Sequence, residues 1–494
     1  MVPAEGPARS FLEAREPGRP GEQGTVPALT DKEAPEAGYG WFETRELAGL
    51  RLHVLTTRKF KVETARVAIR LPLVREHVTA NALVPMVLRR GTRRLPTLQA
   101  IARHLESLYG ARVVVDVGKV GDTHLIELRG ETVADAHLPG WRPGTRQLEA
   151  LLRLLFEMWL DPARGPEGRL RDEYVAQEKE ILRRRIEGII NNKRQYAVHR
   201  LVEEMFADQP FSLHRLGRLE DLPALDGRTL DEAYRSRILG ARADLLVVTS
   251  APADDVAELA RRLLDEVGWR PADGRLAEVA QAGAAQDGAV PGGGTPRVVT
   301  ETHSVRQAVL ALGYRTPVRF ASPDYPALVV CNGVLGGFPH SKLFVHVRER
   351  NSLAYFVYSR IESSHGALLI SAGVDPGVKD RAVAIIGEQL EAVRRGDIEP
   401  DEMEATRRAL VRRWRVDEDD PNALIDHYLV GLVNGRQRPL AELIDQVGRV
   451  GRDEVVAVAE TVRPDTFYFL TAPEPASADA PEGQPVASRG EGAS

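Results

Sequence analysis

The sequence predicts an α+β protein made of two homologous layered α/β domains. Two long stretches of the chain repeat the same order of predicted strands and helices. Within each stretch the helices are grouped between pairs of strands, which favours a layered α+β architecture over a doubly wound parallel sheet. A segment rich in Gly and Pro separates the two stretches and is typical of a flexible linker. Together these observations indicate a duplicated fold.

The first half begins with an extended apolar run, which two helical patterns and two β-rich runs follow. An amphipathic helix comes next, because its apolar residues recur at spacings of three and four, and a long charged helix ends the series. The predicted elements span residues 65–72, 81–90, 97–109, 112–118, 123–129, 148–160 and 170–190.

The second half repeats this series in the same order. An extended run is again followed by two helical patterns, two strands, an amphipathic helix and a long charged helix. The predicted elements span residues 308–314, 325–335, 341–350, 353–361, 367–374, 382–393 and 400–416.

Changes in composition along the chain predict the domain boundaries. Residues 1–38, rich in Pro, Gly, Glu and Ala, and the similar residues 474–494 are predicted to be disordered tails. Residues 271–297 are predicted to be a flexible linker. The two folded domains are therefore expected at residues 39–270 and 298–473.

The overall composition excludes several classes of partner. Of 494 residues, 43% are apolar and 28% charged, as in soluble globular proteins. The 66 basic and 71 acidic residues give a net charge of −5, so no nucleic-acid partner is expected. No apolar stretch reaches about 18 residues, and the polar N-terminus has no signal-peptide core. We therefore expect a cytoplasmic protein with no membrane partner.

The histidines do not have the spacing of a helical zinc site. Such a site needs two His four residues apart, so that both rings leave one face of the helix, and no two of the 12 histidines have that spacing. The one cysteine, Cys331, excludes a Cys-based site and is expected to be a buried apolar residue. A metal site assembled from residues distant in sequence is not addressed by this spacing.

One stretch, residues 341–355, carries candidate binding residues. Arg348 lies near the end of a predicted helix and Tyr355 at the start of the next predicted strand. Either side chain could donate a hydrogen bond to a substrate carbonyl or to a developing oxyanion. The alternative role is packing and capping, which is common for Arg and Tyr at a helix–strand corner.

These residues belong to a set of short motifs that resembles the insulinase (pitrilysin) family of zinc peptidases. The likeness covers residues 45–472, both halves in order, and is strongest in the second half. The matching residues are Gln307 to Gly313, Asp324-Tyr325, Leu335-Gly336-Gly337, Ser341, Leu343-Phe344, Arg348-Glu349, Leu353-Ala354-Tyr355, Ile398, Glu402, Ala405, Phe206, Pro210 and Gly217. The resemblance implies that the chain forms one half of a peptidase clamshell.

The zinc motif of that family, H-x-x-E-H before a Gly-Thr, is altered here. Gly91-Thr92 follows the predicted helix, and counting back places the motif positions on Ala82, Pro85 and Met86. None of these three can bind zinc or deprotonate a water molecule. The third ligand position falls on Arg185, with Glu180 and Glu187 close by in sequence, and Glu178 matches the family's other acidic residue on that helix. The resemblance therefore implies no catalytic residue, no metal and no cofactor in this chain.

What the resemblance implies about function is a division of labour between two subunits. In the family two halves close around a chamber, and the Arg and Tyr matched by Arg348 and Tyr355 bind the substrate. We therefore expect a non-catalytic subunit that forms a heterodimer with a catalytic insulinase-family subunit. The partner would supply zinc and the general base, and the chamber would take peptide substrates.

Two other functions stay open on the sequence alone. The first is a scaffold that binds a peptide or protein in the chamber with no associated hydrolysis. The second is an active metallopeptidase with unorthodox ligands.

Overall fold

The computed structural model describes residues 41–47, 49–138, 146–269, 294–305 and 307–473. The predicted tails and nearly all of the predicted linker lie outside these ranges. Residues 294–296 have no regular structure, and the first strand of the second half begins at Arg297. Within the part of the chain that the structure describes, no helix is long and apolar enough to cross a membrane.

A six-stranded sheet forms the base of the first half. Its strands are β1 (Glu43–Leu47), β2 (Leu50–Thr56), β3 (Val62–Pro72), β4 (Arg112–Val120), β5 (Thr123–Val133) and β6 (Arg242–Thr249). They lie in the order β1-β2-β6-β3-β5-β4. β2 and β6 are parallel, and the other neighbours are antiparallel. β4, which pairs with β5 alone, is therefore an edge strand.

With one exception, the helices of the first half cover one face of this sheet. The helices of this half are α1 (Val78–Leu88), α2 (Leu98–Ser107), α3 (Arg146–Leu160), α4 (Asp172–Glu187), α5 (Lys193–Met205), α6 (Gly227–Ala233) and α7 (Ala253–Glu266). The exception is α5, which packs on the sheet of the second half. α1 is almost entirely apolar and buries every residue, as expected for a helix at the centre of a core. α2 begins after Thr97, whose hydroxyl oxygen accepts a hydrogen bond from the Ala100 amide.

The second half has a five-stranded sheet of the same topology. Its strands are β7 (Arg297–Thr302), β8 (Ala308–Arg315), β9 (Ala354–Glu362), β10 (Ala367–Val374) and β11 (Arg463–Thr471). Their order is β7-β11-β8-β10-β9, with one parallel pair, β7 and β11. Strand for strand this is the first sheet without β1, and β9 takes the place of β4 at the edge. The predicted duplicated α+β fold is confirmed.

The helices of the second half differ from the predicted ones in type and in number. They are α8 (Tyr325–Asn332), α9 (Lys379–Arg394), α10 (Pro400–Asp417), α11 (Pro421–Val433), α12 (Leu440–Arg449) and α13 (Arg452–Thr461). Of these, α11, α12 and α13 were not predicted. The predicted helix 325–335 changes to a π-helical segment at Gly333–Gly337, and most of the predicted helix 341–350 is a second π segment, Phe344–Arg350. π segments are rare and concentrate at functional sites.

Each half gives one helix to the other half's sheet. α5 packs through Leu201 and Met205 on Leu369 and Tyr468 of the second sheet. In return α11 packs on the first sheet, where the rings of Tyr428 and Phe42 have centroids 4.4 Å apart. The two halves are therefore interlocked rather than simply adjacent.

Buried polar contacts fix α11 on the first sheet. Arg66 of β3 is fully buried and forms ion pairs with Glu127 of β5 and Asp426 of α11. The Tyr428 hydroxyl lies 3.0 Å from Nδ1 of His53, and Nε2 of that ring lies 3.0 Å from Asp244. Because buried charges must be paired, these contacts fix the position of α11.

Candidate functional site

The three altered motif positions lie on α1 inside the core of the first half. Ala82, Pro85 and Met86 are all buried, and Ala82 and Met86 belong to the same apolar cluster as the sheet. Pro85 removes one main-chain donor from the helix interior. None of the three side chains carries a nitrogen or oxygen atom that could bind a metal.

A buried carboxylate joins α4 to the end of α1. Glu178 is fully buried, and its two oxygens lie 3.3 Å from Arg89 Nη2 and 3.4 Å from Arg90 Nη1. The two arginines follow directly on the last residue of α1. Glu178 is therefore committed to an ion-pair network between two elements, as buried charges require.

Arg185 lies two helical turns after Glu178, in the last turn of α4. Its Nη1 is 3.7 Å from Asp116 Oδ1 on the edge strand β4, and its side chain is half-buried. At the position that the family resemblance assigns to a carboxylate ligand, this chain therefore has a cation.

Arg348 lies in the π segment Phe344–Arg350 and is exposed. Its guanidinium stacks over the Phe344 ring, with Cζ 4.8 Å from the ring centroid. Among the residues that the structure describes, it has no hydrogen-bond or ion-pair partner. Its donors are consequently available to a ligand.

Tyr355 is the second residue of the edge strand β9 and is 53% exposed. Its hydroxyl donates a long hydrogen bond, 3.3 Å, to Asp375 Oδ1. Between Arg348 and Tyr355 the chain turns through Ser352, whose φ of 51° lies in the left-handed region. Strained backbone of this kind is found most often at ligand sites and switch regions. The turn places the π segment against the start of β9.

Sequence comparison assigns the family. A profile described as "Peptidase M16 inactive domain" matches residues 225–410. The chain is 32% identical over 437 residues to the "Probable inactive metalloprotease YmfF" of Bacillus subtilis, an alignment that covers 87% of this chain and 97% of that protein. The chain belongs to the M16 (insulinase) peptidase family. It is also 26% identical over 258 residues to the "Uncharacterized zinc protease ML0855" of Mycobacterium leprae, covering 52% of this chain and 56% of that protein.

Several solved structures resemble the chain over most of its length. A conserved protein from Enterococcus faecalis superposes with a TM-score of 0.78 at 24% identity, covering 88% of this chain and 99% of the other. A protease from Helicobacter pylori superposes with a TM-score of 0.70 at 16% sequence identity, covering 87% of this chain and 99% of the other. An M16 inactive domain from Pseudomonas fluorescens superposes with a TM-score of 0.66 at 17% sequence identity, covering 87% of this chain and 98% of the other. At these identities the likeness concerns the fold alone.

The residues that the family resemblance assigns to the zinc-motif positions do not fit a zinc ion. Zinc in proteins takes Cys, His, Asp or Glu ligands, whereas this chain has two apolar side chains, a proline and an arginine there. Over the described ranges of the chain, no group of three or more such ligands could hold a metal ion.

Polar residues of the edge strand β4 were missed by sequence analysis. Asp116 is buried and lies 3.7 Å from Arg185 and 3.8 Å from Arg215. The signal available in the sequence was an acidic residue in the otherwise apolar run 113–117. Because Arg185 and Arg215 come from other elements, only the structure shows that they meet there.

The two edge strands converge where the halves meet. Nε2 of His365, in the turn after β9, lies 3.1 Å from Asp122 in the turn after β4. Lys119 donates hydrogen bonds to the main-chain oxygens of Phe211 (2.6 Å) and Leu213 (2.9 Å), and burial lowers the pKa of Lys119 to about 8. The exposed starts of β4 and β9 lie at the ends remote from this junction.

Proposed function

We propose that this chain is a non-catalytic M16 subunit that pairs with a zinc-bearing M16 subunit to form a peptidase chamber for peptides. The observation that carries the proposal is a contrast within one chain. The motif positions on α1 are buried and apolar, whereas Arg348 and Tyr355 stand exposed on the other half. A chain with no zinc ligand at its assigned motif positions thus keeps donor groups that could bind a substrate.

The chemistry of Arg348 and Tyr355 suits a peptide substrate. A guanidinium and a phenol both donate hydrogen bonds to carbonyl oxygens, and a charged donor forms the stronger bond. In a closed chamber such donors would orient the substrate and stabilise charge that develops on its carbonyl. The zinc ion and the general base would come from the partner subunit, and both chains would act in the cytoplasm.

The test is reconstitution with a partner. The tagged chain is purified from its native cells, and the eluate is analysed for a second M16 subunit, for zinc and for peptidase activity. We expect activity that neither chain has alone. We also expect Arg348→Ala to lower kcat/KM of the pair by about tenfold, since it removes one charged hydrogen bond.

Arg350→Ala is the matched control, because Arg350 is an exposed arginine of the same π segment. Its kcat/KM should stay close to that of the unchanged pair. Equal turnover by the Arg348→Ala pair and the unchanged pair would refute the role of Arg348.

The scaffold function makes a different prediction for the same experiment. It is favoured by the edge strands β4 and β9, which could each pair with an extended peptide. A chain that purifies without a zinc-bearing partner, binds peptides and never gains hydrolysis would be a scaffold. An active metallopeptidase with unorthodox ligands would instead show about one equivalent of zinc and hydrolysis by this chain alone.

A further inference from the structure

The part of β4 that is open to a new strand is short and has a defined end. β4 pairs with β5 on one side alone, and Val114 near its start is 54% exposed. At Val117 the main-chain oxygen already accepts a hydrogen bond from Arg215 Nη1 (2.6 Å). An extended peptide could therefore pair with residues 112–116 and would end beside Arg215.

At the end of this open segment, beside Arg215, the positive charges outnumber the negative ones. Asp116 faces two guanidinium groups, Arg185 at 3.7 Å and Arg215 at 3.8 Å. Both distances exceed those of charge-assisted hydrogen bonds, which are about 2.7–2.9 Å. Within the described part of the chain, Arg185 makes no hydrogen bond. One carboxylate between two loosely held cations leaves one positive charge and several free donors.

Both arginine side chains can be reached from solvent. The Arg185 and Arg215 side chains are about one-third exposed, at 37% and 32%. Asp116 is buried, and its oxygens lie 3.7 Å and 3.8 Å from the two arginines, so donors of both guanidinium groups stay available to a ligand. Planar guanidinium groups bind a carboxylate through two parallel hydrogen bonds.

We propose that Arg185 and Arg215 bind the C-terminal carboxylate of a peptide that pairs with the open part of β4. This inference rests on the proposed function, because it specifies which peptides the chamber takes: those with a free C-terminus close to the bound strand. The position that the family resemblance assigns to a metal ligand, Arg185, then serves anion binding in this chain.

The experiment compares one peptide in two forms. A fluorescein-labelled decapeptide of alternating Ala and Thr is prepared as the free acid and as the C-terminal amide, and both are titrated with the full-length chain by fluorescence anisotropy. The acid should bind about tenfold more tightly, because the amide loses the charge-assisted hydrogen bonds. Arg185→Gln should bring the ratio close to one.

Arg184→Gln is the control, because Arg184 is the neighbouring arginine, is 71% exposed and is paired with Glu180. It should keep the preference for the acid. The proposal is overturned if the unchanged chain binds acid and amide alike, if it binds neither, or if Arg184→Gln acts like Arg185→Gln. The first comparison needs no variant, so a folding defect cannot obscure it.

The outcomes separate this inference from the proposed function. If acid and amide bind alike while the reconstituted pair cleaves peptides, the carboxylate site is wrong and the subunit function stands. If the acid is preferred but no partner produces hydrolysis, the carboxylate site stands and the subunit function is wrong.

Discussion

At the scale of single residues, Glu178 shows what remains at the altered motif. Its carboxylate is fully buried and pairs with Arg89 and Arg90 at the end of α1. A carboxylate that pairs with two cations cannot also serve as a base or a ligand without giving up those ion pairs. Glu178 therefore acts in this chain as a structural link between α1 and α4.

Removal of that carboxylate should cost stability. We expect Glu178→Ala to lower the free energy of unfolding by about 3 kcal/mol, because it removes the buried carboxylate that two partly buried guanidinium groups share. Urea denaturation followed by circular dichroism measures the change. Glu180→Ala, which removes an exposed carboxylate of the same helix, is the control and should change little. Equal effects of the two substitutions would contradict the structural role of Glu178.

Gly217 is a second residue whose surroundings require a particular residue type, here glycine. Its φ is 76°, and a Cβ atom there would lie 2.5 Å from the Thr79 Cα of α1. We expect Gly217→Ala to destabilise the protein by more than about 2 kcal/mol, because main-chain atoms of a core helix would have to move. Gly168→Ala separates the two causes, since Gly168 has a similar φ of 73° but open space around it. Thermal melts of both variants should differ clearly; equal melting temperatures would show that backbone strain alone acts at Gly217.

At the scale of elements, β3 begins with a buried acid. Glu63 accepts a hydrogen bond from Thr249, and burial, with a smaller contribution from Asp135, raises the pKa of Glu63 to about 7. A folded-state pKa above the unfolded value of 4.5 means that the folded protein binds the extra proton between those pH values. The contribution of Glu63 to stability is therefore present below pH 4.5 and is lost as the pH rises through 7.

Glu63→Gln should remove this dependence. The amide keeps an acceptor for Thr249 and never ionises, so the variant should be more stable than the unchanged protein at pH 8 by roughly 1–3 kcal/mol. At pH 4 the two should be alike. Urea midpoints at both pH values test this, and Glu46→Gln on the exposed part of β1 should show no such difference. A variant less stable at pH 8 would contradict the assignment.

Sequence periodicity predicted individual strands better than it predicted which strands pair with each other. The runs at 112–118 and 367–374 were recognised as strands because β-branched and apolar residues fill them. β6 and β11 come at the ends of the two halves, yet each inserts into the middle of its sheet. Local sequence identifies a strand, but pairing across more than a hundred residues depends on how the whole chain folds.

The same limit applies to the candidate site. The exposed Arg348 and Tyr355 lie close in sequence and could be singled out as a pair. Their role in substrate binding remains a prediction. Asp116 lies on β4, Arg185 on α4 and Arg215 in the segment between α5 and α6, and no local pattern connects them.

At the scale of the whole molecule, the exchange of α5 and α11 makes each half depend on the other. The apolar face of each helix is buried on a sheet to which it does not belong in sequence. Because burial of apolar area is the main source of stability, separation of the halves would expose both helices and both sheets.

A substitution in one half should therefore loosen the other. Tyr428→Ala on α11 removes the contacts with Phe42 and His53, so amide exchange should become faster in β1 and β2 of the first half. Hydrogen–deuterium exchange with mass spectrometry measures this directly. Faster exchange confined to α11 and its own half would show that the halves are independent.

The exchanged helices also bear on what a peptide-bond cut would do. A protease that cleaved the chain between Trp269 and Gly294 would divide it into two fragments. One helix of each fragment would still be packed on the sheet of the other. The nicked molecule would migrate as two bands after denaturation and as one particle before it. The two fragments would thus be held together by the packing of α5 and α11 and not by the connecting peptide.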